Sequence, residues 1–400
     1  MEAFVSGVLA VIAGFLAIPV IVLCIEIVAA IALSMRPSVV PLRRETRRRV
    51  AVLLPAHNES MGLLPTVADI KSQLQPGERL LVVADNCTDD TAAVALTAGA
   101  EVIERLDPIR IGKGYALDFG IRHLSLNPPG IVVVIDADCR LAGDAIDQLA
   151  TTCTMTGRPV QALYLMTANE KSPINHQVAQ FAWRVKNWIR PLGLKALGLP
   201  CQLMGTGMAM PWDVVRSVDL ANGSIVEDLR LGLDLARAGH LPFFCPSARV
   251  SSEFASSAKG AKIQRARWEQ SHIQTILIAA PRLAWRAILQ RNWGLLVLAL
   301  DLAVPPLSLL AMLVIGMFLV ASLTTLFGLS SVAMPISIAA VSALMLAIFL
   351  AWLKCGRDVL PIEATLSIVP YVVGKLGVYG RILSRRLDAR WIKTDRTKSE

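Results

Sequence analysis

Apolar residues fill positions 3–35 almost without a break, interrupted only by Pro19 and Glu26. About 20 such residues cross a bilayer, so the run is long enough for one tilted helix. Two further apolar runs stand late in the chain, at roughly 303–327 and 333–353, joined by a short turn around Gly328 to Ser331. Between residues 50 and 291 the pattern changes to short apolar runs alternating with helix-like stretches. Val50–Leu54 reads as a buried strand stopped by Pro55, Arg79–Ala84 as a second, Glu101–Ile103 as a third and Ile131–Ile135 as a fourth. Met61–Leu74, Thr91–Ala98 and Tyr115–Leu124 read as helices between them. Such alternation predicts an α/β fold with a mostly parallel sheet covered on both faces. In sheets of that kind ligands bind beyond the carboxyl ends of the strands. Asp85 ends the second strand, and Asp136 and Asp138 end the fourth.

Composition agrees with a membrane chain. Of 400 residues, 54% are hydrophobic and 18% charged, against about 45–50% and about 25% in soluble domains. Lys and Arg (40) exceed Asp and Glu (31), for a net charge of +9. The surplus lies beside the apolar runs, which points to membrane lipid and away from nucleic acid. The cluster Pro41–Arg49 follows the first run directly, and the positive-inside rule puts it in the cytoplasm with the N-terminus outside. The first run lacks a basic n-region and a clear cleavage site, so it reads as a span and not a signal peptide. Arg282, Arg286 and Arg291 precede the second run, while Lys354 and Arg357 follow the third, giving an in-out-in hairpin. The stretch 358–380, broken by Pro361 and Pro370, reads as an interfacial helix, followed by a basic tail. Trp183 and Trp188 with Arg184, Lys186 and Arg190 outline an amphipathic helix near the membrane surface. Seven cysteines form no CxxC pair, which fits a reducing compartment and no zinc site. The expected division is a span at 1–36, a cytoplasmic α/β domain at 50–275, an interfacial segment and hairpin at 276–357, and an interfacial helix with tail at 358–400.

The carboxylates carry the chemistry. Ile111–Leu117 begins like a dinucleotide fingerprint but has Leu117 at the third glycine position, and no P-loop occurs. Asp136-Ala-Asp138 is a D-x-D at a strand end; such a pair can serve a hard cation, one carboxylate binding Mg²⁺ or Mn²⁺ and the other helping to hold a nucleotide, and taken alone it reads equally as a solvated turn. Four more segments accompany it: Pro55-Ala-His-Asn-Glu59, Asp85-Asn-Cys-Thr-Asp-Asp-Thr91, Val226-Glu227-Asp228 and Gln264-Arg-Ala-Arg-Trp268.

Together, in this order and bracketed by spans, these motifs resemble the processive-type family 2 glycosyltransferases, which include cellulose, chitin, hyaluronan and poly-N-acetylglucosamine synthases. The resemblance covers roughly residues 50–275 and the arrangement of spans. It implies a GT-A nucleotide-sugar-binding domain, a UDP-sugar donor, a divalent metal and inversion at the anomeric carbon. It assigns Asp228 as the base that deprotonates the acceptor hydroxyl, and Asp138 as the metal ligand. The donor side would comprise Pro55, Asn58, Glu59, Asp85 (against the uridine), Asp136, Gln264 and Arg267; Lys113, between two glycines, reads either as a further donor-side residue or as a solvated loop lysine. The acceptor side would comprise Gly205, Thr206, Gly207, Glu227 and Trp268. An inverting transfer needs one base, because UDP leaves already stabilised by metal and cation. Arg267 suits a forked contact to diphosphate, and Trp268 offers a flat face for a sugar ring. His57 reads as structural.

The family's Thr-Glu-Asp motif is Val-Glu-Asp here, without the hydroxyl. Three spans also make a poor conduit, so polymer export would call for oligomerisation or a partner. The expectation is a multi-pass inner-membrane enzyme in exopolysaccharide or cell-surface polysaccharide synthesis. Its acceptor is a growing glycan or a polyprenyl-linked sugar. The alternatives are a polyprenyl-phosphate glycosyltransferase and a non-catalytic membrane subunit with a GT-A-like domain.

Overall fold

A computed structural model describes residues 2–33, 47–167, 174–224, 226–254, 258–363 and 368–383. In chain order the elements begin with α1 (Glu2–Ala32), β1 (Val50–Ala56), α2 (Leu64–Lys71), β2 (Arg79–Asp85), α3 (Thr91–Thr97), β3 (Glu101–Arg105), α4 (Lys113–Leu124) and β4 (Ile131–Val134). Next come β5 (Arg140–Leu141), α5 (Ala145–Thr156), β6 (Val160–Thr167), α6 (Ile174–Arg184), α7 (Arg190–Ala196), β7 (Met208–Pro211), α8 (Trp212–Val215), α9 (Glu227–Arg237) and β8 (Phe243–Glu253). The rest is helical: α10 (Ala258–Leu289), α11 (Trp293–Ala303), α12 (Leu307–Leu326), α13 (Ala333–Cys355), α14 (Ile368–Gly374) and α15 (Leu376–Leu383). The chain divides into two compact units, one built around the sheet and one of helices.

In the sheet unit the strands lie in the order β3-β2-β1-β4-β7-β6-β8-β5. The first four are mutually parallel, β7 runs antiparallel to its neighbours β4 and β6, and β6 is parallel to β8. The unbroken apolar runs of β1, β2 and β4 are buried along nearly their whole length, as strands covered on both faces require. On one face Leu53, Leu81, Val83, Val132 and Val134 pack with Leu117, Ile121 and Leu124 of α4 and with Leu231 and Leu235 of α9. Each such buried aliphatic side chain contributes about 1.5–3 kcal/mol.

Pro55 does not stop β1, which continues to Ala56 and pairs Pro55 with Val83. The pairing of β1 with β4 ends at Leu53–Val134, so the missing proline N–H falls where that neighbour has already ended. Arg47 belongs to this unit and not to the basic cluster: it is buried and ion-paired with Glu78 and Asp147. Residues 41–46 of the cluster and the tail beyond Leu383 lie outside the described residues.

Among the described residues, three helices of the helical unit are long and apolar enough to cross a membrane: Ala3–Ala32, Leu307–Leu326 and Ala333–Cys355. Val20, Leu23, Ile27 and Ala30 of α1 pack with Phe181, Val185 and Ile189, and with Leu344, Ala347 and Ala351 of α13. The span expected at roughly 303–327 is α12, Leu307–Leu326, and the apolar stretch before it is the separate short helix α11. The stretch read as one interfacial helix is two short ones, α14 and α15.

Arg190 departs from the amphipathic-surface reading. It is buried, with Nε donating to Glu26 Oε2 at 2.6 Å and Nη2 to the Asp301 carbonyl at 2.7 Å, besides an ion pair to the Asp301 carboxylate. A five-residue π turn, Val185–Ile189, separates α6 from α7 and resets which residues face inward. Arg184 instead binds the Asp358 carboxylate at 2.7 Å.

Candidate active site

The acidic turn follows β4. Asp136 N–H donates to Thr206 Oγ1 at 3.1 Å, and Cys139 N–H closes back on the Asp136 carbonyl at 3.2 Å. Ligand atoms of Asp136, Asp138 and Cys139 all lie within 4.8 Å of one another. Burial pushes the Cys139 thiol up to about 12, so it stays protonated and leaves the two carboxylates as the oxygen donors of the turn. Such a hard-oxygen pair suits Mg²⁺ or Mn²⁺ and not zinc.

Lys113, at the first turn of α4, is neither a solvated loop lysine nor remote from this turn. Its ammonium is ion-paired with Asp136, lies 3.4 Å from Glu227 Oε1 and donates to the Gly205 carbonyl at 2.8 Å. Burial disfavours its charge, but Asp136, Glu227 and Asp228 outweigh that and raise its pKa above the usual lysine value. Glu227 and Asp228 open α9. Burial, opposed by Lys113 and reinforced by Asp228 and Asp136, pushes the Glu227 carboxyl up to about 7.

Gly205 faces Asp228. With φ +93°, it occupies the left-handed region, and a Cβ there would stand 3.3 Å from Asp228 Oδ2 and 3.9 Å from Lys113 Nζ. Gly207, φ +67°, has no room for a side chain, since a Cβ would meet Ala162 Cβ at 2.6 Å. Thr206 between them is fully buried, so its side chain holds the acidic turn and does not line open space.

The loops after β1 and β2 are knitted together. Asn58 accepts from Thr88 N–H at 2.7 Å and donates to Thr88 Oγ1 at 3.1 Å, while Glu59 N–H and Ser60 N–H both donate to Thr91 Oγ1 at 2.9 Å. Asn58, Ser60 and Asn86 all take left-handed backbone angles, with φ of 52°, 43° and 50°. Such conformations survive only where neighbouring bonds over-determine them. The Asp85 carboxylate accepts from Arg105 Nη1 at 2.6 Å and from Asn86 Nδ2 at 3.0 Å. Burial still outweighs Arg105 and holds its pKa above the usual aspartate value. His57 Nδ1 meets the Asp85 carbonyl at 2.7 Å, a structural contact as the sequence suggests.

Arg105 and Tyr115 escaped the sequence reading. Arg105 ends β3, pairs with Asp85 and Asp107, and lies 5.5 Å from the centre of the Tyr115 ring. Its place at the carboxyl end of a parallel strand was the available signal. Gln264, Arg267 and Trp268 lie on α10, but their side chains are outside the described residues.

A family model described as glycosyltransferase like family 2 matches residues 47–271. An uncharacterized glycosyltransferase of Mycobacterium tuberculosis is 32% identical over 197 residues, covering 44% of this chain and 85% of that protein. Glucosyl-3-phosphoglycerate synthase of the same species is 39% identical over 98 residues, covering 23% of this chain and 29% of its own length. A mannosyltransferase from Pyrobaculum calidifontis, solved in complex with GDP-Man and Mn²⁺, superposes with a TM-score of 0.52 at 17% identity. That match covers 94% of this chain and 99% of the other, and it is a likeness of fold.

Proposed function

The chain belongs to the glycosyltransferase-like family 2, with a GT-A-like α/β domain, and we propose that it is a membrane-bound inverting enzyme. Its reaction moves a sugar from a UDP-sugar to a hydroxyl of a growing glycan or lipid-linked acceptor, at the cytoplasmic face of the inner membrane, in cell-surface polysaccharide synthesis. The observation that carries this reading is the meeting of Lys113 with Asp136, Glu227 and the Gly205 carbonyl. One lysine thereby links the acidic turn, the acid pair of α9 and the glycine segment facing it.

Each residue then has a task. Asp85 meets the uridine, with Arg105 fixing its carboxylate. Asp138 and Asp136 would hold Mg²⁺ or Mn²⁺; when bound, such an ion neutralises the diphosphate as it leaves. Lys113 adds a fixed positive charge beside the same turn, where developing negative charge is worth most to stabilise. Asp228 takes the acceptor hydroxyl proton as the oxygen attacks the anomeric carbon and the bond to UDP breaks. Gly205 keeps the approach to Asp228 clear of side-chain bulk. Thr206 supports the turn from below, and Pro55, Asn58 and Glu59 shape the donor loop. For Gln264, Arg267 and Trp268 the donor and acceptor roles rest on the sequence motif alone. The three long apolar helices support a membrane location, and the charges flanking them support a cytoplasmic catalytic unit.

The test is a UDP-release screen of purified protein with Mn²⁺, a membrane extract, and UDP-Glc, UDP-GlcNAc, UDP-Gal or UDP-GlcA. Removing a general base costs about 10²–10⁴-fold in rate. Asp228→Asn should therefore abolish detectable transfer while UDP binding persists. Transfer that survives in Asp228→Asn removes that residue from the mechanism.

A further inference from the structure

Helix α2 and the turn that follows it carry a set of polar side chains that the reaction above does not use. Thr66 and Asp69 stand at i and i+3 on the helix, the spacing that places side chains on one face, and Gln73 follows two residues beyond its end at Lys71. All three reach the same stretch of chain. Thr66 is buried, and its Oγ1 lies 2.7 Å from the Ala137 carbonyl and 2.6 Å from the Cys139 carbonyl. Those two carbonyls bracket Asp138. Asp69 accepts from Leu141 N–H at 3.1 Å and from Arg140 Nε at 2.7 Å. Gln73, also buried, donates to the Ala142 carbonyl at 2.9 Å and accepts from Ile146 N–H at 3.0 Å.

We propose that this set is a splint for divalent-cation binding, with Thr66 as its principal positioning residue. The backbone around Asp138 is pinned at four points: Thr66 holds the Ala137 carbonyl before it and the Cys139 carbonyl beyond it, Cys139 N–H closes on the Asp136 carbonyl, and Thr206 holds the Asp136 N–H. The two carboxylates then differ only in side-chain rotation, and the geometry needed by a hard cation is built before the cation arrives. A single hydroxyl proton shared between two carbonyls gives Thr66 this reach, which valine of the same shape lacks. Asp69 and Gln73 keep the following strand β5 and the start of α5 in register, so the turn cannot swing as a unit. The splint rests on the reading of Asp136 and Asp138 as the cation site, and it adds residues that never touch the ion.

The experiment measures Mn²⁺ affinity of the full chain in detergent, with UDP present, from the electron paramagnetic resonance signal of free Mn²⁺. Loss of an outer partner of a metal ligand costs about 10- to 100-fold in affinity, and Thr66→Val should weaken binding by that much. Thr66→Ser, which keeps the hydroxyl, should stay within about twofold of wild type. UDP binding without metal should be equal in all three. Should Thr66→Val fail to fold, Asp69→Asn, which reaches the turn from its partly exposed edge, must weaken Mn²⁺ in the same direction. Wild-type Mn²⁺ affinity in either variant, or equal loss in Thr66→Val and Thr66→Ser, overturns the splint. A wild-type chain that binds no Mn²⁺ overturns the cation site itself, and the splint with it.

Discussion

Lys113 decides how the acidic residues of this site coexist. Its ion pairs to Asp136 and Glu227 are partly shielded from water, so removing the ammonium takes away the counter-charge that the two carboxylates share. Lys113→Met is expected to lower stability by about 1–3 kcal/mol, the usual cost of stranding a polar group, read as a drop in thermal midpoint. The same variant should raise the KM for the UDP-sugar. Glu227 makes a second expectation, of pH. Its carboxyl sits at about 7 in the fold against 4.5 as the ordinary value. The folded state therefore holds this proton more tightly than the unfolded state, and its stabilising effect is present below pH 4.5 and lost as pH rises through 7. In metal-free protein, thermal midpoints of wild type should fall relative to Glu227→Gln across that window. Parallel profiles would show that Glu227 titrates normally. Among single residues, Asp136 and Asp138 were legible because D-x-D stands at a predicted strand end, and Glu227 and Asp228 because Val-Glu-Asp nearly matches a family motif. Arg105 was not, since its meaning comes from Asp85, twenty residues away in the chain.

The start of α4 shows why glycine spacing alone misleads. Gly112-Lys-Gly114 begins like a phosphate-binding loop, yet its glycines answer to a neighbouring segment of protein. A Cβ on Gly114 would stand 2.5 Å from the Asn222 carbonyl and 2.7 Å from the Leu220 carbonyl, both backbone atoms that cannot step aside cheaply. A Cβ on Gly112, φ +140°, would stand 3.2 Å from Gly223 Cα. The segment so held runs on to Glu227 and Asp228. Gly114→Ala should therefore shift the acid pair, and a displacement near 1 Å costs about 10²-fold in rate. Steady-state kinetics should show kcat falling much more than donor KM changes; a change in KM alone would argue against this. The parallel half of the sheet was legible because buried strands read as unbroken apolar runs. The other half was not, because β7 has four residues and β8 contains Pro246 and an irregular register against β6. Periodicity equally missed the inward turn of Arg190, whose partners Glu26 and Asp301 are 164 and 111 residues away.

At the scale of the whole molecule, one charge pattern serves both units. The apolar runs gave the three long helices directly, since a span must satisfy its backbone internally and therefore advertises itself as a continuous stretch. What composition did not reveal was polar chemistry inside the helical unit, where Glu26, Arg190 and Asp301 are all buried. A charge placed there is costly and persists when it is paired. The flanking basic residues predict the orientation: N-terminus outside, catalytic unit inside and the Gly328–Ser331 turn outside. The expectation is testable in intact cells with a membrane-impermeant maleimide, in a chain whose seven cysteines are replaced. Leu329→Cys, exposed in that turn, should be labelled from outside, whereas Asn127→Cys, exposed on the sheet unit, should react only after the cells are opened. Labelling of Asn127→Cys in sealed cells would put the Asp136–Asp138 turn on the side where cytoplasmic UDP-sugars are absent. The proposed transfer would then have no donor, whatever the geometry of the site.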